Sequence, residues 1–313
     1  MTAFAAVYLA WGSTYLAIRY AVETLPPFLM AAVRFLIAGT ILYAWARLRG
    51  APRPEPRHWR ATTVIGGLLL LGGNGAVVWS ELRIASGLAA LLVAMVPVWM
   101  VLGDTLWQGS ARPGPKVISG LLLGFGGLAL LAGPSELMGS QRVDLLGMGV
   151  LVLGSISWAV GSIYSRMAPL PRSSVLVTAM EMLCGAVLLA IAGLVTGEAS
   201  VVSLHSASPK SLMAVLYLVV VGSLVGFNAY IWLLGVTTPA RASTYAYVNP
   251  VVALFLGWAL AREPLTLRTL ASAAVILVGV ALIIADSSGR RPGPSSGAAE
   301  PRAKQAARQC ELS

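Results

Sequence analysis

The chain has 313 residues, of which 57% are apolar and only 11% charged, less than half the roughly 25% charge of an ordinary soluble domain. A globule of this size cannot hide so much apolar surface from water, so lipid is the solvent for most of the chain and an ordinary cytosolic enzyme is excluded. The net charge of +10, from 22 Lys and Arg against 12 Asp and Glu, would suit nucleic acid only if the basic groups clustered; they are scattered over short loops without a reading motif, so no nucleic-acid partner is expected.

Apolar stretches run over residues 3–21, 28–46, 61–80, 86–106, 116–132, 145–165, 174–195, 211–234, 242–260 and 267–285. At about 20 residues per span they predict an all-α polytopic membrane protein with ten transmembrane helices and no large soluble domain. Pro26-Pro27, Pro113-Gly114-Pro115 and Pro169 with Pro171 break the chain before the second, fifth and seventh spans, and Thr266 is a cap for the tenth. The first span has no charged leader or cleavage site, so it reads as a retained helix. With the N-terminus inside, the inner segments hold 15 basic residues and the outer segments 6, with Arg34 inside a span. This places both termini in the cytoplasm, and the cell (inner) membrane is the expected location. Residues 287–313 turn to Gly, Pro, Ser, Ala and Arg and read as a disordered cytoplasmic tail. Cys184 lies in a span and Cys310 in the tail, so neither a disulfide nor a metal site is expected.

The two halves resemble each other. Trp11 to Tyr15 with Arg19 recurs as Trp158 to Tyr164 with Arg166, 147 residues later at the tryptophan. Asn74 and Trp79 find Asn228 and Trp232, Pro97 matches Pro250 and Gly126 matches Gly279, the spacing growing where the second half has a longer loop. Five spans per half is an odd number, so the second copy lies upside down relative to the first. The expected units are a five-helix repeat over 1–133 and its inverted partner over 144–286. Such a repeat lets a central site open to either side of the membrane in turn.

Four segments carry a family resemblance over residues 1–285. They are Trp11-Gly12-Ser13-Thr14-Tyr15, Arg34-Phe35, Tyr245 to Pro250, and Arg262-Glu263-Pro264-Leu265-Thr266. The chain resembles EamA-type carriers of the drug/metabolite transporter superfamily, most closely the bacterial exporter branch. The resemblance implies secondary-active export of small metabolites or drugs, amino-acid-like or amphipathic, by alternating access. It departs from the pattern at Ser110, which stands where the second half has Glu263, and in a first helix without the acidic residue that small four-helix relatives use for proton coupling.

Charge inside a span costs at least about 2.5–3.5 kcal/mol and needs a reason. Arg34, Asp104 and Glu181 are such charges, and Arg34 and Glu181 occupy matched places in the repeat. At 1.5 Å per residue they differ by roughly 9 Å in depth, so a direct ion pair is not required. Arg34 is a candidate for binding an acidic group of the solute and Glu181 for binding a cation or a proton, the plain alternative being that each fixes packing. Asp104 reads as structural, near the end of its span.

Pro97 and Pro250 fall near the middle of the fourth and ninth spans and read as kinks lining the path. Around them stand Asn74, Asn228 and Asn249 with Trp11, Tyr15, Trp79, Trp158, Tyr164, Tyr230, Trp232, Tyr245 and Tyr247. Trp11 and Trp158 are central, where an indole can grip a solute by stacking or by its ring face. The glycine-rich stretches bring helices close and bind no phosphate, since no Lys-Ser/Thr follows them. The partners expected are thus the lipid bilayer and a small-molecule substrate, with coupling to protons left open and a monomer or dimer as the unit. No cofactor, metal or catalytic residue is expected. A metabolite or lipid-linked flippase is the alternative transport reading. A polytopic membrane enzyme is the alternative class, without an acid/base or metal cluster inside the spans to support it.

Overall fold

Lipid cannot satisfy a backbone N–H or C=O, so each spanning segment must bond its amides internally. A computed structural model of the chain, which describes residues 2–80, 82–83, 89, 92–107, 113–138, 144–200, 207–261 and 266–285, meets this demand with helices, and no strand occurs among the described residues. Ser110, residues 262–265, the 287–313 tail and the side chain of Tyr15 lie outside the described residues.

The helices are α1 (Thr2–Val22), α2 (Pro27–Leu48), α3 (Pro56–Ser80), α4 (Val96–Trp107), α5 (Pro115–Met138), α6 (Leu145–Met167), α7 (Ser174–Val195), α8 (Pro209–Val236), α9 (Tyr245–Ala261) and α10 (Leu267–Ala285). Their starts follow the sequence. Pro27 is the first residue of α2, while Asp144, Ser173 and Ser208 accept the free amides of Gly147, Leu176 and Ser211 at the starts of α6, α7 and α8. Thr266 does the same for the amide of Thr269. Six of these helices, α2, α3, α6, α7, α8 and α10, are long and apolar enough to cross a membrane. Leu9, Leu48, Leu122 and Val195 stand exposed on the outside of the bundle, which suits lipid tails and not water.

Two places depart from plain α-helix. Gly67–Gly75 within α3 and Leu218–Phe227 within α8 are π-helical, a rare form that tends to occur at functional sites. Partners for the displaced backbone come from side chains: Ser157 Oγ donates to the Leu68 carbonyl and Trp11 Nε1 to the Gly222 carbonyl, at 2.8 and 3.1 Å. In the fourth segment residues 94–95 form a turn, and Pro97 is the second residue of α4 rather than an interior kink. In that position its missing N–H breaks no hydrogen bond. Pro250, by contrast, lies inside the continuous helix α9.

Helices pack in reciprocal pairs. The most extensive contacts are α2 with α7 and α5 with α10; α1 packs on α8 and α9, and α6 packs on α3 and α4. Glycines set the closest crossings. A Cβ on Gly66 would lie 2.6 Å from the Glu181 carbonyl, and one on Gly120 would lie 2.6 Å from the Gly279 carbonyl. The largest buried core, with Phe35, Ile65, Leu69, Met100, Phe227 and Tyr230, lies among α2, α3, α4, α7 and α8. A second, with Leu128, Tyr247, Val251, Ile276 and Ile283, ties α9 to α5 and α10.

Candidate functional site

Trp11 and Trp158 come from the middles of α1 and α6, where a large polar-edged ring must find protein on every side. They meet edge to face, with centroids 5.6 Å apart and planes at 80°. Tyr230 of α8 packs against both, at 5.1 and 5.5 Å, and Tyr245 of α9 stands edge-on to Trp11 at 4.7 Å and to Tyr230 at 5.4 Å. The Tyr230 hydroxyl accepts from Trp158 Nε1 at 3.0 Å and shares a 2.6 Å hydrogen bond with Ser162. The four rings make five ring contacts, each adding to the plain burial of area.

A cavity of about 90 Å³ adjoins this cluster. By this measure one water needs about 10–15 Å³, so there is room for several waters or a compact organic group. Trp11, Arg34, Asn74, Trp158, Tyr245 and Asn249 line it. Ile18, Val77 and Leu151 carry it toward the end of the bundle where α1 and α3 finish and α6 begins.

Arg34 is 4% exposed and its Nε donates to Ser223 Oγ at 2.8 Å. Its guanidinium lies 4.7 Å from the Phe35 ring and against Gly222, where a Cβ would come within 2.7 Å of Nη2. The ion pairs among the described residues, Arg57–Glu55, Arg83–Asp144 and Lys210–Glu23, all stand at helix ends, and none engages Arg34. Asn74 Oδ1 and Asn249 Oδ1 are buried without a hydrogen-bond partner. The cavity therefore offers a guanidinium without a carboxylate partner, two open amide acceptors and indole faces, and among the described residues no acidic one lines it.

The other sequence candidates fall elsewhere. Glu181 is fully buried on α7 with both carboxyl oxygens unpartnered, outside the cavity lining. Asn228 also has a buried unpartnered Oδ1 but does not line the cavity. Trp79 lies under the Arg83 guanidinium at 4.4 Å, near the end of α3. Tyr164 is half-buried at the edge of the main core. Pro97 and Pro250 are absent from the lining, which takes their neighbours Val96 and Asn249 instead. Trp232 is exposed, and Tyr247 is buried against Gly124 in the second core. Ser223 and Ser162, which hold Arg34 and Tyr230, went unmarked in the sequence because small hydroxyl residues are common wherever membrane helices pack.

The EamA-like transporter family model matches residues 1–133 and again residues 145–285. The chain belongs to the EamA-like transporter family. Among its relatives, the inner membrane transporter YedA of Escherichia coli K12 is 40% identical over 279 residues, covering 89% of this chain and 88% of that one. The transporter YvbV of Bacillus subtilis is 27% identical over 90% of each. A solved crystal structure shares the fold, with a TM-score of 0.72 and 21% identity over 88% of this chain and 93% of that one. This EamA-family chain is thus a multi-pass membrane transporter and not an enzyme.

Proposed function

We propose that this EamA-family transporter is a secondary-active carrier of small organic solutes, working by alternating access around the cavity beside Trp11 and Trp158. In this reading it has ten transmembrane helices in two inverted halves, residues 1–133 and 144–286, and exports its solute across the inner membrane with both termini in the cytoplasm. The reciprocal pairing supports the inverted arrangement. Exchanging each helix for its counterpart five places on turns α1 with α8 into α6 with α3, and α1 with α9 into α6 with α4. The π-helical segments in α3 and α8 are counterparts in the same sense. The name of YedA supports the inner membrane, and the excess of basic residues on one set of loops supports the orientation.

The observation that carries the reading is Arg34, a buried cation on the cavity wall with no carboxylate beside it. An anionic group of the solute supplies the missing partner through a charge-assisted hydrogen bond. Asn74 and Asn249 accept N–H or O–H groups, and the indoles hold an apolar body. The solute is accordingly amphipathic and carboxylate-bearing, of the amino-acid kind.

Exchange of labelled solutes by purified protein in liposomes tests this. Saturable exchange of carboxylate-bearing amphipathic solutes is expected, with weaker exchange of matched amides or purely cationic compounds. Arg34→Gln raises KM for the carboxylates by about 10-fold to 100-fold, since a hydrogen bond to a charged group is worth about 1.5–3 kcal/mol. Folded protein that exchanges no member of a panel of amino acids, organic acids, nucleosides and cationic drugs overturns the reading.

A further inference from the structure

Glu181 carries a costly group that the solute cavity does not use. It lies on α7 with none of its surface exposed, and neither Oε1 nor Oε2 has a hydrogen-bond partner. The groups on the elements packed against α7 are otherwise engaged. On α2, Arg34 bonds Ser223, Tyr43 stacks on Trp59 and Arg47 bonds the Ala51 carbonyl. On α3, Thr62 and Thr63 meet the Cys184 thiol, His58 accepts the Glu55 amide, Arg57 pairs with Glu55 and Arg60 is exposed. Glu198, in the turn Glu198–Ser200, accepts the amides of Phe28 and Leu29. On α8, the stretch Asn228–Val236 packs against α7, and its Tyr230 hydroxyl is held by Ser162 and Trp158. An unpaired carboxylate is not tolerated in such surroundings, whereas a carboxylic acid that holds its proton is.

We propose that Glu181 is a proton-binding site separate from the solute cavity, and that Tyr230 links the two. This rests on the carrier reading above. When the half of the bundle around Glu181 admits water, the carboxyl passes its proton to that water and keeps the negative charge. The Tyr230 O–H then turns from Ser162 to the carboxylate, and no covalent bond other than the O–H of the acid is broken. Trp158 Nε1 donates to the same hydroxyl, and the Trp158 ring is seated on Gly73, where a Cβ would come within 2.6 Å of it. Movement of Tyr230 therefore resets a wall of the cavity. Proton release at Glu181 and the change in that wall become one event, and exchange of a proton for a solute follows when the deprotonated form is the one that grips the solute, so that each displaces the other.

The experiment uses the full chain in liposomes, with a solute that the wild type exchanges and an imposed pH gradient or, separately, a sodium gradient. The pH gradient drives accumulation in the wild type and the sodium gradient does not. In Glu181→Gln the ratio of pH-driven accumulation to simple exchange falls at least tenfold, and in Tyr230→Phe it falls as well. Glu181→Gln with an unchanged ratio overturns the proton site, and Tyr230→Phe with an unchanged ratio overturns the link. Infrared difference spectra give a readout independent of transport. The wild type shows the carbonyl band of a buried carboxylic acid, which fades as pH is raised and is missing from Glu181→Gln. Absence of that band from the wild type overturns the proposal even where Glu181→Gln does not fold. A wild type that shows the band yet exchanges no solute sinks the carrier reading and leaves the proton site standing.

Discussion

Trp11 and Trp158 cross edge to face at 5.6 Å, and each is seated on a glycine of a facing helix. A Cβ on Gly226 of α8 would lie 2.7 Å from Trp11 Nε1, and a Cβ on Gly73 of α3 would lie 2.6 Å from Trp158 Cε3. Both distances are far inside van der Waals contact, and the obstacle is a rigid ring held by its neighbours. Gly73→Ala and Gly226→Ala should each cost about 1–3 kcal/mol, the range for overpacking a filled core. Thermal unfolding in detergent measures this, and alanine variants as stable as the wild type would show that the rings move aside freely.

Tyr230→Phe removes one oxygen and leaves the ring stack intact. Ser162 Oγ and Trp158 Nε1 then lose a buried partner, a loss of about 1–3 kcal/mol. The fluorescence of Trp158 should shift as its N–H loses the hydroxyl. An unchanged unfolding temperature together with an unchanged emission maximum would contradict this account of the cluster.

Much of the site was legible because charge and aromatics are rare and costly in an apolar helix. Arg34, Trp11 and Trp158 stood out on that ground, and all three line the cavity. Asn74 and Asn249 followed from polarity inside a span. Trp79 stands outside the cavity lining, and an indole near a span end is as well explained by a cation such as Arg83. Pro97 sits at a helix start and not mid-helix, because a hydropathy pattern does not register the turn at residues 94–95. The π-helical segments were out of reach altogether. Nothing in a run such as Leu218 to Phe227 distinguishes a bond to the fifth residue from one to the fourth, and the choice is made by side chains arriving from other helices.

Glu198 holds the start of α2. Its two carboxylate oxygens accept the amides of Phe28 and Leu29 at 3.1 and 2.9 Å, from a residue 9% exposed. These are donors that a helix start cannot satisfy internally, and the negative charge complements the helix dipole. Glu198→Ala is expected to cost about 1–2 kcal/mol, in the range of N-cap losses, and Glu198→Gln less because it keeps one acceptor. Equal stability of all three proteins would argue against the capping role.

Asp144 provides an acid-sensitive cap. The Gly147 amide, first, and the Arg83 guanidinium hold its carboxyl below the ordinary carboxylate range. A group whose folded value is depressed adds stability above its unfolded value, about 3.9 for Asp, and loses it as pH falls through the lower folded value. Acidification below about pH 4 should therefore lower the unfolding temperature of the wild type more than that of Asp144→Asn. Parallel acid curves for the two proteins would count against it.

The proposed orientation can be read chemically. With Cys184 and Cys310 replaced by serine, Arg53→Cys should resist a membrane-impermeant thiol reagent applied to intact cells. Lys210→Cys should react. The opposite pattern would invert the topology.

Arg34 is moored to Ser223, and Asn74 stands among Gly67–Gly75, so the cation and one of the open amides both depend on π-helical backbone. Such backbone is a rare form that tends to occur at functional sites. In the proposed reading, recognition of the solute therefore rests on these two stretches of π-helical main chain. A solute pulling on Arg34 pulls through Ser223 on one of these stretches, so the strength of its grip and the local winding of α8 are a single mechanical quantity.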